Sequence, residues 1–417
     1  MTEPQREFDI VLYGATGFVG KLTAQYLAAA GGPARIALAG RSVAKLRDVR
    51  DSLGEAARDW ALLEAEAGQP STLNDMASRT RVVVATVGPY TKYGLPVVAA
   101  CAAAGTDYAD LTGETMFIRE SIDVYGKEAA DNGARIVHSC GFDSIPSDLT
   151  VYALYKRALA DGAGELGETN FVLRGFAGGV SGGTAASMVE VMQTSSSDPD
   201  ARRAMNDPYT LTPDRAAEPD FGHQSDVPWR RGRDIAPELD GVWTGAFAMG
   251  APNARIVRRS NALLDWAYGR SFRYAENMSM GSSVVAPVAA ALGTAANAAV
   301  LSLGSRYFDK VPRGLVERVL PKPGTGPSEK AREKGHYTVE TYTTTTTGAR
   351  YRATMSQQGD PGYKATSVLL GECGLALALD RDQLSDLRGV LTPATALGDA
   401  LLTRLPDAGV TLRTERL

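Results

Sequence analysis

Cysteine and histidine are scarce in this chain, three of each in 417 residues. Cys101, Cys140 and Cys373 stand far apart. They form no CxxC pair and no disulfide framework, which fits a reducing, cytoplasmic compartment. His138, His223 and His336 are equally scattered, so no zinc spacing exists and no metal site is expected. No long basic run interrupts a mild net charge of −4, which argues against nucleic-acid binding. The first residues, MTEPQREFD, carry charge early with no apolar stretch behind them, so no secretory leader is read there. Charge is missing altogether from Asn277 to Ser305. That stretch is long enough to span a bilayer, but it is rich in Ala, Gly and Ser and poor in Leu, Ile and Phe, so insertion would be weak. Composition favours a buried or tunnel-lining helix pair broken near Gly293. A hairpin making peripheral contact with a membrane through 277–305 is the alternative.

What is present is alternation. The length favours two domains. Across the first 150 residues, apolar runs at Asp9–Tyr13, Ala34–Gly40, Trp60–Ala67 and Arg81–Gly88 are separated by helical stretches, and TDYADLTG and ARIVHSCG supply two further strands. Continuous apolar strands between helices need cover on both faces, which predicts an α/β, doubly wound parallel sheet. After about Thr150 the segments TNFVLRGF, GVWTGAFAM, ARIVRRS, RSFRYAENMSM, GHYTVETYTTTTT and ARYRATMSQ read as strands. They predict a second α+β domain with a largely antiparallel sheet, including a hairpin turn at Gly348-Ala349. SSSDPDARRAMNDP and PKPGTGPSEKAREKG read as polar loops, and the last of these carries a segment, PGTGPS, able to cover a cleft. The expected division is 1–150, 151–360, and a helical segment 361–417 packing back on the first domain.

Val11–Ala28 reads VLYGATGFVGKLTAQYLA, with Gly14, Gly17 and Gly20 between a strand and a helix. Here the first glycine permits the turn, the second lets a pyrophosphate approach the backbone, and the third lets helix and sheet close up. The helix N-terminus then faces the phosphates. The second strand ends in Gly40-Arg41-Ser42 rather than in Asp or Glu. No carboxylate there opposes a 2′-phosphate and Arg41 can clamp it, so NADP(H) is expected. A bland surface role for Arg41, with both cofactors tolerated, is the competing reading.

Ligands of such sheets sit at the carboxyl ends of the strands. TVGPYTKYG, DLTGE and HSCGFDSIPSDL fall there. Gly88 and Pro89 are expected over the nicotinamide. Tyr90, Lys92, Tyr93, Cys140, Asp143 and Ser144 are the candidate catalytic groups, because hydride transfer needs a neighbouring group to stabilise charge and deliver a proton. Packing and helix capping are the competing explanations for each. SGGTAAS at Ser181–Ser187 is either an anion-binding helix start or an ordinary capped one. WRRGR (229–233) with RIVRRS (255–260) reads either as a basic docking patch for an acidic carrier protein or as a solvated face.

Together, FDIVLYGATGFVGKL, IALAGRS, TVGPYTKYGLPVVAACAAAGTDYADLTGE, CGFDSIPSDL, VSGGT, PKPGTGPS and HYTVETYTTTTTGARYRAT resemble the saccharopine dehydrogenase family, in its mycobacterial trans-acting enoyl reductase branch. The resemblance covers nearly the whole length. It implies a Rossmann-type NADP-binding domain joined to an α+β domain. By position it carries cofactor contacts onto Gly14, Thr16, Gly17, Phe18, Gly20 and Arg41, with Ser42 adjoining, and it fixes no catalytic residue. It further implies reduction of a carbon–carbon double bond on an acyl or polyketide intermediate bound to acyl-carrier protein or CoA. Such an enzyme serves a polyketide synthase in making phthiocerol-type cell-wall lipids. A saccharopine-like amino-acid dehydrogenase and a non-catalytic, lipid-associated nucleotide binder remain the alternatives.

Overall fold

The computed structural model describes residues 6–179, 182–222, 224–308 and 326–417. The first sheet begins with β1 (Phe8–Tyr13), β2 (Ile36–Gly40), β3 (Ala61–Glu64), β4 (Thr80–Ala85), β5 (Asp107–Asp110) and β6 (Arg135–Val137). They are parallel and lie in the order β6-β5-β4-β1-β2-β3. Every residue of β1 and β2 is buried, as a nearly continuous apolar run requires; the one charge, Asp9, is paired with Arg35 at 3.0 Å.

The second sheet is built from β7 (Leu166–Ala177), β8 (Arg230–Arg231), β9 (Trp243–Ala246), β10 (Arg273–Ser279), β11 (His336–Thr345) and β12 (Arg350–Gln358). Its pairs are antiparallel except β7 with β10. The threonine-rich run is strand β11, and the hairpin to β12 turns at Gly348, whose φ is +84°. Alternate threonines point inward and pair with other buried hydroxyls, Thr341 with Thr150 and Thr343 with Thr169, both at 2.7 Å.

The end of the chain serves both sheets. β13 (Gly389–Leu391) pairs in parallel with β6, and β14 (Val410–Arg416) pairs with β12. Between them and β12, the helix Thr366–Leu379 lies on the first sheet. Gly374 permits this approach, because a Cβ there would stand 2.6 Å from Val84, and Gly371 does the same against Tyr26. Neither closing strand was foreseen. GVL is too short for a periodic signal, and VTLRTER is an edge strand whose polar residues mask its alternation.

Three other expectations are corrected. ARIVRRS is no strand but part of the helix Gly250–Leu263. Its β-branched residues favoured a strand, yet tertiary packing buries this segment as a helix. SSSDPDARRAMNDP is not a loop: one helix runs to Ser197 and another spans Pro199–Asn206. Asp198 caps the second by accepting the Asp200 N–H, with proline just inside the helix, where its missing N–H costs nothing. Finally, the charge-free stretch is neither a helix pair nor mostly buried, although Ala296, Asn297 and Val300 line a cleft. Beyond β10 it forms one helix, Ala286–Tyr307, unbroken at Gly293. An interior glycine costs about 1 kcal/mol relative to alanine, and the alanines around it sustain the helix. Its outer face is open, with Val288 59% and Leu292 66% exposed. It is long and apolar enough to cross a membrane by length and composition.

Candidate active site

A cleft of about 570 Å³ opens at the carboxyl ends of the parallel strands. One wall is first-sheet loop, with Thr86, Gly88, Tyr90, Glu114, Gly141 and Asp143. The other is carried by helices that follow β7, with Met188, Val191 and Met192 from Gly182–Ser197, Met249 beside Gly250–Leu263, and Val300 from Ala286–Tyr307.

The glycine turn stands at the first wall. Gly14 has φ +89°, and a Cβ there would meet Val87 at 2.6 Å and Thr86 at 2.8 Å. A Cβ on Gly20 would sit 2.2 Å from the Gly14 carbonyl oxygen. The helix Phe18–Ala30 therefore begins hard against the turn, and Gly17 at its N-cap supplies no side-chain hydrogen bond. Thr16 is half-buried beside it. This cradle fits a pyrophosphate, which takes the N–H groups that no side chain satisfies. The Phe18 ring meets Tyr363 edge-on at 4.8 Å and lies under the Arg332 guanidinium at 5.3 Å. Gly326 also rests on that ring, where a Cβ would approach to 2.4 Å. Pro323–Thr325 of the PGTGPS segment lie outside the described residues.

Arg41 is exposed at the end of β2 and makes no ion pair among the described residues. Ser42 caps the helix Val43–Ser52 by accepting the Lys45 N–H at 3.4 Å. The cation at this position is thus available to a 2′-phosphate while its neighbour is committed to the fold. Gly88 lines the cleft, and the Gly88–Pro89 peptide is cis.

Of the six candidate catalytic groups, Tyr90 and Asp143 line the cleft. The Tyr90 hydroxyl donates to the Ala85 carbonyl at 3.1 Å and accepts the Leu111 N–H at 3.2 Å. Burial first, and the Asp110 charge next, push its phenol well above the ordinary range. Lys92 forms an ion pair with Glu190 at 2.6 Å. Tyr93 is 44% exposed and outside the lining. The Cys140 thiol is buried, donates to the Val137 carbonyl at 3.5 Å and is pushed up by burial. The Ser144 hydroxyl donates to Asn253 Oδ1 at 2.9 Å.

Two features of the site escaped sequence reading. Glu114 is fully buried at the cleft wall, with its carboxylate accepting from Tyr90, Thr91 and Ser187. Behind the cleft, Asn253 joins Ser144, Ser147 and Glu276. Burial raises the Glu276 carboxyl to about 8, against the pull of hydrogen bonds from Asn253, Tyr274 and Ser147. Only the polarity of DLTGE hinted at the first, and nothing local pointed to the second. Ser139, at the end of β6, holds φ +67° and donates to the Thr112 carbonyl at 2.7 Å. Such non-glycine strain gathers at functional sites.

Two proposed binding features take other roles. At SGGTAAS, Ser181 lies outside the described residues, and the Gly182 N–H donates to the Tyr363 hydroxyl at 3.2 Å. The basic docking patch does not form, because Arg255, Arg258 and Arg259 are buried. Asp226 pairs with Arg255 at 3.1 Å and Arg258 at 2.7 Å, while Arg259 donates to the Leu211 and Val390 carbonyls.

Residues 10–137 match the family model described as the saccharopine dehydrogenase NADP binding domain. Over 417 residues, all of both chains, the sequence is 70% identical to a Mycobacterium tuberculosis protein provisionally named trans-acting enoyl reductase. It is 65% identical over 418 residues, again all of both chains, to the trans-acting enoyl reductase of Mycobacterium ulcerans. Among solved structures, apo saccharopine dehydrogenase (L-Glu forming) from Saccharomyces cerevisiae superposes with TM-score 0.53 and 13% identity, covering 98% of this chain and 99% of that one. At that identity the likeness is one of fold.

Proposed function

The chain belongs to the saccharopine dehydrogenase family, in its trans-acting enoyl reductase branch, and from that premise we propose that it reduces the α,β double bond of a long acyl or polyketide thioester. It is an NADP-dependent enoyl reductase. In this proposal the thioester is carried on acyl-carrier protein or CoA and handed over by a polyketide synthase in phthiocerol-type lipid synthesis.

One observation carries the acyl reading. The cleft beside the cofactor turn is walled by Met188, Met192 and Met249 together with Val191 and Val300. Methionine adapts to irregular apolar chains, and apolar pockets with few polar groups suit lipid-like ligands. The charges that reach the cleft are largely committed: Asp226 and Arg255 to each other, Glu114 to neighbouring donors. A zwitterionic amino-acid substrate would need charges left for it, so this arrangement speaks against the saccharopine-like alternative.

Bound NADPH supplies the hydride. The protein's own residues orient and protonate. Gly14, Gly17 and Gly20 admit the pyrophosphate, Thr16 and Phe18 frame the turn, and Arg41, next to Ser42, holds the 2′-phosphate. Gly88 and Pro89 shape the loop above the ring. We assign proton delivery to Asp143, which lines the cleft beside Gly141, and assign Tyr90 to the wall, since both its hydroxyl contacts are to backbone. Asp143→Asn is expected to lower kcat about 10²-fold or more with the NADPH Kd retained. Wild-type kcat in that variant would move the role elsewhere.

Residues 1–150 bind cofactor and 151–360 bind substrate, while 361–417 pack on the first sheet and also add an edge strand to the second. A cytoplasmic location accords with three free, buried cysteines. Peripheral membrane contact would use the open face of Ala286–Tyr307, and flotation with lipid vesicles tests it. The activity itself is tested by following NADPH oxidation with a long-chain enoyl thioester and, in parallel, with saccharopine-pathway substrates. Turnover of only the latter would overturn the reading.

A further inference from the structure

Glu114 follows a turn that is pinned three times over. The Thr112 N–H donates to Asp110 Oδ1 at 3.0 Å, the Glu114 N–H donates to Thr112 Oγ1 at 3.1 Å, and the Ser139 hydroxyl holds the Thr112 carbonyl. The carboxylate is therefore delivered to a fixed place at the head of the helix Thr115–Asp131. There it meets donors only. Oε1 accepts the Tyr90 N–H at 2.9 Å and the Ser187 hydroxyl at 2.5 Å. Oε2 accepts the Thr91 N–H at 2.8 Å and the Thr91 hydroxyl at 2.5 Å.

These partners belong to two different parts of the molecule. Tyr90 and Thr91 begin the short helix after the Gly88–Pro89 loop, on the cofactor wall. Ser187 lies on Gly182–Ser197, the helix that brings Met188, Val191 and Met192 to the acyl wall. The Lys92–Glu190 ion pair joins the same two segments one turn further along. Being half-exposed on the lysine side, that pair is worth little alone. The buried carboxylate, held by four donors, is the stronger link.

We propose that Glu114 is a positioning residue for the reduction: it clasps the cofactor-side loop to the methionine-bearing helix and so sets the width of the cleft in which acyl chain and cofactor meet. The inference rests on the acyl-thioester reading above. A misplacement of about 1 Å between reacting groups can cost on the order of 10²-fold in rate, and this clasp spans the two walls that must agree. A neutral amide cannot replace the carboxylate, because its NH₂ would face donors.

The test uses the full-length protein with NADPH present, comparing wild type, Glu114→Gln and Ser187→Ala. Three quantities are read: kcat and KM for a long-chain enoyl-CoA, the NADPH Kd, and amide hydrogen exchange at Tyr90 and Thr91. Glu114→Gln should lower kcat/KM about 10²-fold, speed exchange at both amides and leave the NADPH Kd within about twofold. Ser187→Ala removes only the contact across the cleft, so it should raise the acyl KM several-fold with little change in exchange at Thr91. Wild-type kinetics and exchange in Glu114→Gln would overturn the proposal, as would an equal loss of NADPH affinity. If wild type fails to turn over the enoyl-CoA, the proposed function falls. Exchange at Tyr90 and Thr91 then still decides whether the clasp exists.

Discussion

On the side proposed to hold cofactor the cleft is made of backbone; on the side proposed to hold an acyl chain it is made of side chains. The glycine turn works because atoms are missing: a Cβ at Gly14 or Gly20 would collide with neighbours at 2.6 Å and 2.2 Å. The proposed acyl wall works because atoms are present, on two helices and at the head of a third, packed as Met188, Met192, Val300 and Met249. A backbone cradle binds one invariant ligand and tolerates almost no substitution. A side-chain wall can be retuned residue by residue without disturbing the cofactor. On the proposed reading, this division would let one fold hold a fixed reductant against different acceptors.

The comparison is broken most severely at the turn. Gly20→Val should abolish measurable NADPH binding and cost about 3 kcal/mol or more of stability, since its Cβ meets a backbone oxygen that cannot move aside. Calorimetric titration with NADPH and thermal unfolding would record both. Arg41→Asp comes next, expected to weaken NADPH about 10²-fold and NADH far less, because charge-assisted bonds to the 2′-phosphate are lost and a repulsion is added. Equal loss of both cofactors would place Arg41 outside phosphate recognition.

Met192→Lys sharpens the other side. A charge in the methionine wall should raise the acyl KM about tenfold or more while the NADPH Kd stays fixed. A rise in the NADPH Kd instead would mean that the two walls are not separable. The smallest effect concerns Glu276 behind the acyl wall. Its carboxyl is raised to about 8 by burial, so its share of stability is full at low pH and is lost as pH rises toward about 8. Glu276→Gln should therefore flatten the fall in Tm between pH 5 and 8, leaving a slope below about pH 6 from buried Asp148, itself raised to about 6. A Tm profile unchanged from wild type would show that Glu276 does not titrate in that range.

The same contrast explains what the sequence discloses. Gly14, Gly17 and Gly20 announce themselves because their chemistry is local, in a strand, a turn and a helix within twenty residues. The parallel sheet is legible for the same reason, as runs such as VVVA have nowhere to lie but between two layers. Glu114 is not legible, since its meaning depends on Ser187, 73 positions later. Nor is the helix at ARIVRRS, where Arg255 and Arg258 are paid for by Asp226 from a separate loop. Residues that read as chemistry in isolation, such as Cys140 and Lys92, are engaged by neighbours that no motif places beside them.

Isotope transfer decides whether the bound NADPH reduces an acyl double bond. NADPH deuterated at the reactive carbon of its nicotinamide is supplied to the purified protein with a long-chain α,β-unsaturated acyl thioester, and the product is weighed by mass spectrometry. The account predicts a saturated thioester carrying one deuterium, formed by wild type and at most at about a hundredth of the rate by Asp143→Asn. An unchanged unsaturated thioester, with the label appearing instead in saccharopine from amino-acid substrates, would contradict it.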